Sequence, residues 1–188
     1  MINKVKQNIL PNFVTPINGN INSINSLKDT FIYIDVIEHI ENDAFFLQEA
    51  ARVLKPGGKL YLTTVNRDFS LSRNPWHVRE YLANELGDLM KKYFSEVIMQ
   101  GVHGNQKVMD YYEANKKSVK KITRFDIFNL QYRLPRTWLQ VPYDIANRLS
   151  RLSISKSSNE LVNSIQVDDY FLSDKPAESL DFFYTGIK

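Results

Sequence analysis

Asp35-Val36-Ile37-Glu38-His39 places two carboxylates and one imidazole within a single short segment. A carboxylate balances a nearby positive charge. An imidazole exchanges its proton near neutral pH, which suits it to take the proton of an attacking hydroxyl. His77 stands further along beside Trp76. Asp35, Glu38, His39 and His77 together make a donor set for a divalent cation such as Mg²⁺ or Mn²⁺, which would polarise a substrate oxygen. The plainer reading is that Asp35 and Glu38 cap the turn that follows them, while His77 is a neutral ring hydrogen-bonded within its loop. Trp76 and Tyr81 are expected in a substrate lid, because loop aromatics often line pockets, with anchoring of the loop as the competing role. Cysteine is absent, which excludes disulfides, thiolate ligands and a cysteine nucleophile.

These residues need elements to hold them. Thr30–Ile37 is a β-branched and aromatic run with almost no polar relief, which predicts a strand buried on both faces, as in a parallel sheet. Asn42-Asp43 then caps a helix whose apolar positions Phe45, Phe46, Leu47, Ala50, Ala51 and Leu54 follow the helical period. Pro56-Gly57-Gly58 is expected to stop that helix, and 59–65 reads as the next strand. Strand, helix and strand in this order predict a right-handed β-α-β unit. A polar loop over 66–79, a helix near 82–93 and a strand over Glu96–Val102 follow. Gly101-Val102-His103-Gly104 reads as a plain turn. Residues 105–151 predict two or three helices interrupted at Pro135 and Pro142. Residues 152–164 read as a Ser/Asn-rich linker, and Leu180–Ile187 as a closing strand. Before all of these, 2–9 suggests a short helix, Asn12–Ile17 a short strand and 18–29 a loop.

With 188 residues, 43% hydrophobic and 24% charged, the chain can bury a real core. No run of 18 apolar residues exists and the first residues lack a signal-peptide core, so a cytoplasmic protein is expected, with a peripheral membrane association in view. The charge is uneven. Between Lys116 and Lys156 ten basic residues face two acidic ones, a local net of +8 in a chain whose total is +3. A basic, aromatic-rich stretch suits an anionic or lipid-linked substrate or a membrane surface. Core packing is the default expectation for its aromatics. No nucleic-acid-binding motif accompanies it.

Two blocks carry a resemblance. Asp35-Val36-Ile37-Glu38-His39-Ile40, followed by Arg52-Val53-Leu54-Lys55-Pro56-Gly57-Gly58-Lys59-Leu60, resembles the class I S-adenosylmethionine-dependent methyltransferases. Thr63-Thr64-Val65-Asn66 resembles their T-T-P-N element, and Asn74-Pro75-Trp76-His77-Val78-Arg79-Glu80-Tyr81 their N-P-x-H-x-x-E segment. The resemblance implies an α/β, Rossmann-like sheet, N-terminally incomplete, with a helical insertion before the last antiparallel strand. It divides the chain into a loop-rich remnant of the cofactor half at 1–29, core strands and helices at 30–104, a basic cap at 105–165 and a closing strand at 166–188. It implies S-adenosylmethionine as cofactor and methyl transfer to a hydroxyl of a small, lipid-linked or saccharide-like acceptor. His39 and Asp35 would be catalytic, with Asp35 balancing the sulfonium. Gly19, Asn20, Ile21, Asp35 and Val36 would contact the cofactor. Glu38, Trp76, His77 and Tyr81 would face the acceptor. The Asp35…Glu38-His39…His77 set also resembles the metal ligands of small-RNA 2′-O-methyltransferases and, in part, of ubiquinone-pathway O-methyltransferases.

The family's Gly-rich loop after its first strand is not in this sequence, whose 7 glycines are scattered. In the complete fold, with strand order 3-2-1-4-5-7-6, the matched blocks are the fourth and fifth strands. Strand 30–37 would then expose an apolar edge, and self-association through it is expected. The rival expectations are a catalytically silent remnant and an interaction subunit completed by a partner chain.

Overall fold

The computed structural model describes residues 27–188, apart from 125, 127 and 158. The expected helix 2–9, strand Asn12–Ile17 and most of the loop 18–29 lie outside the described residues, as do Gly19, Asn20 and Ile21. Strands β1 (Lys28–Ile34), β2 (Leu54–Val65), β3 (Glu96–Gly104), β4 (Tyr170–Ser173) and β5 (Asp181–Ile187) form one sheet in the order β1-β2-β5-β3-β4. β1 and β2 run parallel, and β5 runs antiparallel to both β2 and β3. One reversed strand between two co-directional ones therefore makes two antiparallel ladders. The first four positions of this order reproduce the 4-5-7-6 half of the expected sheet.

The chain divides into two units. Among the described residues, the first holds those up to Phe69, Val78–His103 and Leu172–Lys188; the second holds Ser70–His77 and Gly104–Phe171. In the first, α1 (Asp43–Val53) begins where Asn42 Oδ1 accepts the Phe45 amide at 3.0 Å, the cap that the sequence predicted. Helix α2 (Ala83–Met90) supplies Leu86 and Met90 to a core shared with Phe31, Leu47, Val53, Leu60, Leu62, Phe182 and Tyr184.

Three boundaries differ from expectation. β1 ends at Ile34 and not at residue 37, because Asp35 takes a left-handed φ of 50° and Ile37–His39 form a single 3-10 turn. Helix α1 stops at Val53, ahead of Pro56-Gly57-Gly58. Pro56 biases Lys55, the residue before it, away from the helical region, and the chain is already extended at Leu54. The Pro-Gly-Gly segment instead becomes an irregularity inside β2. Lys28 pairs with Leu54 and Thr30 with Lys59, and Gly57 at φ 74° absorbs the extra residues. Gly101–Gly104 continues β3 and is not a turn.

The second unit is helical: α3 (Gln106–Thr123), α4 (Leu130–Arg133), α5 (Arg136–Ser157) and α6 (Asn159–Ser164). Asn105 caps α3, its Oδ1 accepting the Lys107 amide at 3.0 Å, and its Nδ2 reaches Asp169 at 2.6 Å. Pro135 separates two helices as predicted, whereas Pro142 lies inside α5. A proline removes one amide donor, and the flanking bonds carry the helix through it. The expected linker 152–164 is mostly helix. Serine and asparagine cost only about half a kilocalorie per residue in a helix, which is too little to forbid one. Strand β4 was not anticipated, since four apolar residues carry no readable period. Phe128, Tyr132, Trp138 and Val141 are exposed, contrary to the default of core packing. Among the described residues no helix is long and apolar enough to cross a membrane.

Gly186 lies on β5 where a Cβ would sit 2.9 Å from the Phe94 ring and 3.0 Å from Met90 Cε. Gly186→Ala is expected to cost about 1–3 kcal/mol by overpacking, read as a lower urea midpoint at unchanged slope. An unchanged midpoint contradicts this packing.

Candidate functional site

The carboxyl end of β1 carries Asp35, Val36, Glu38 and His39, and the carboxyl end of β2 carries the groups that hold them. The Asp35 amide donates to the Thr63 carbonyl at 3.1 Å and to Thr63 Oγ1 at 3.2 Å. Thr63 Oγ1 in turn donates to Asp35 Oδ1 at 3.0 Å. A left-handed aspartate costs roughly 1–2 kcal/mol of backbone strain; these bonds to Thr63 offset it. Glu38 is only 1% exposed. Thr64 Oγ1 donates to its Oε2 at 2.9 Å. Successive strand residues point to opposite faces, so Thr63 and Thr64 cannot serve one carboxylate; each holds its own. The Glu38 carbonyl also accepts the amides of Val78 at 2.7 Å and Arg79 at 3.2 Å. His39, next in the same turn, is exposed.

A second cluster fixes the chain after the loop. Tyr81 is 2% exposed, and its hydroxyl donates to Asp43 Oδ2 at 2.7 Å. Arg79 Nη1 donates to the same oxygen, and its guanidinium lies 5.9 Å from the centre of the Tyr81 ring. Burial first, then the hydrogen bond to Asp43, pushes the Tyr81 phenol well above its ordinary range. Tyr81 is thus a buried anchor on the first residue of α1 and not an open lid residue. An open groove of about 520 Å³ borders this cluster, lined in part by Arg67, Glu85 and Lys92.

His77 and Trp76 belong to the second unit. His77 Nε2 lies 2.8 Å from Asn74 Nδ2, and Trp76, 47% exposed, donates from Nε1 to Asp144 at 3.2 Å. Asp35, Glu38 and His39 lie in the first unit and His77 in the second. In the sequence Thr63 and Thr64 stand out only as part of a motif, and nothing there pairs Asp43 with Arg79. One related signal was available: Arg79 and Tyr81, two apart in an extended segment, share a face.

The family model described as "Methyltransferase domain" matches residues 1–62. That match spans about a third of the chain. A protein named "Probable S-adenosylmethionine-dependent methyltransferase" from Mycolicibacterium smegmatis is 42% identical over 74 residues, 37% of this chain and 29% of the relative. One of the same description from Mycobacterium tuberculosis is 39% identical over 88 residues, 44% of this chain and 32% of the relative. The mitochondrial ubiquinone biosynthesis O-methyltransferase of Rattus norvegicus is 28% identical over 100 residues, 50% of this chain and 26% of that protein. The chain thus spans about a third or less of the length of these curated relatives. Among solved structures, an S-adenosylmethionine-dependent methyltransferase of Thermotoga maritima aligns with a TM-score of 0.51 at 15% identity, over 90% of this chain and 61% of that one. That likeness shows the fold.

The Tyr81 environment makes a prediction about alkaline stability. A phenol whose folded pKa is raised stabilises the fold fully below its unfolded pKa of about 10, and the contribution falls as pH rises beyond it. Chemical denaturation from pH 8 to 11 should show stability falling above about pH 10, and less steeply in Tyr81→Phe. Tyr184, raised chiefly by burial, keeps the slope from vanishing. Equal slopes for wild type and variant would contradict the assignment.

Proposed function

We propose that this chain carries the acceptor-facing half of an S-adenosylmethionine-dependent methyltransferase that methylates a hydroxyl of a small, lipid-linked or saccharide-like acceptor. The observation that supports it is the Thr63-held Asp35 at the carboxyl end of a parallel strand, where open α/β sheets bind ligands. The residues present fit the cofactor: a fixed, half-buried carboxylate complements a sulfonium cation, and Val36 beside it offers apolar contact. When bound, S-adenosylmethionine supplies an activated methyl group for in-line displacement. Asp35 holds negative charge in place. Glu38, fixed by Thr64, holds the turn that presents His39. His39 accepts the proton of the acceptor hydroxyl at an imidazole nitrogen.

A second reading is favoured by one observation. Among the described residues β1 has a single neighbouring strand, β2, and it ends the sheet. An interaction subunit whose edge is completed by another copy or a partner chain would use that edge.

Calorimetry separates the two. Asparagine tolerates the left-handed backbone and keeps an acceptor for Thr63, so Asp35→Asn removes the charge alone. The methyltransferase reading expects cofactor binding that Asp35→Asn weakens about tenfold, or ~1.4 kcal/mol. No heat at millimolar cofactor, with self-association by light scattering, overturns it in favour of the interaction subunit.

A further inference from the structure

The second unit carries a solvent-facing apolar stripe that the methyl-transfer reading does not use. On α5, Trp138 is 70% exposed, Val141 67% and Ile145 55%. The spacing of three and then four residues sets them on one face of the helix, and Arg148, also exposed, continues that face. Phe128 and Tyr132, in the segment leading into α5, are exposed too. Helices of water-soluble domains turn such a stripe inward, and an outward one marks a contact surface.

The charge around the stripe identifies the contact. Lys117, Lys120 and Lys121 on α3, Arg124 after it and Arg133 on α4 are exposed. The two acidic residues between positions 116 and 156 are both engaged within the unit. Asp126 accepts the Leu130 amide at 2.6 Å and the Gln131 amide at 3.0 Å, and Asp144 accepts the Trp76 indole. The local net of +8 already counts both of these acids. Apolar and aromatic side chains on one helical face, bordered by arginine and lysine, match the boundary of an anionic bilayer. There, indole and phenol rings sit at headgroup depth and basic groups meet the phosphates. A protein interface of comparable apolarity is depleted in lysine.

We propose that the α5 face bearing Trp138, Val141 and Ile145 docks the chain on an anionic lipid surface. The proposal stands on the second unit alone and is independent of cofactor binding. It is tested on the full chain with vesicles of phosphatidylcholine alone and with 30% phosphatidylglycerol. These are the compositions chosen for the assay, on the order of a cytoplasmic leaflet's anionic content. Co-sedimentation is expected with the anionic vesicles only and should weaken as salt is raised. The Trp emission should shift to the blue, and the shift should persist in Trp76→Phe, which leaves Trp138 as the reporter. A combined Trp138→Ser, Val141→Ser and Ile145→Ser variant should lose at least tenfold in vesicle affinity with an unchanged circular dichroism spectrum. Should that variant unfold, Trp138→Ser alone carries the test, with at least a threefold loss expected. Absence of binding to anionic vesicles, or binding that the serine variants leave unchanged, overturns the proposal. A concentration-dependent dimer that the same variants abolish, without vesicle binding, also overturns it and assigns the face to a second copy of the chain.

Discussion

A carboxylate taken almost completely out of water survives only if donors replace the water it has lost. Glu38 meets that condition through the Thr64 hydroxyl, and Asp35 meets a milder form of it through Thr63. Two neighbouring threonines at the end of β2 therefore each hold one acid of the site. The dependence extends outward. The Glu38 carbonyl receives the chain returning at Val78 and Arg79, and two residues on Tyr81 locks onto Asp43 at the start of α1. The parallel pairing of β1 with β2 is what brings Thr63 opposite the strand end where Asp35 begins its turn. Register and site chemistry are in this sense a single constraint.

This explains which features could be read from residues. The helix cap at Asn42, the strand over 59–65 and the antiparallel closing strand each rest on local signals: a side-chain oxygen ahead of a helical period, or an unbroken β-branched run. The end of β1 was misplaced because nothing local distinguishes Ile34 from Ile37. The break is made by a left-handed Asp35 whose support, Thr63, lies 28 residues away. A Pro-Gly-Gly segment ordinarily stops a helix. Its place inside β2 depends on pairing with β1, which a local pattern does not contain.

The candidate acids and His39 were legible by type and spacing, and the resemblance of their motif to a family gave them a meaning. Their environments were not legible. Tyr81 looked like a lid aromatic from its loop position, yet its hydroxyl is committed to a buried aspartate. The second unit shows the reverse. Its basic, aromatic composition was plain, but composition does not reveal which face of a helix points outward. Only the exposed line of Trp138, Val141 and Ile145 does.

The dependence of the site on the threonine pair is tested most directly by a double-mutant cycle of Thr64→Val and Glu38→Gln, with stability read by urea denaturation at pH 7. A charge-assisted bond to a buried carboxylate predicts a coupling of about 1–3 kcal/mol between the two substitutions. Losses that add to within about 0.3 kcal/mol would show that Thr64 does not hold Glu38, and would contradict the account.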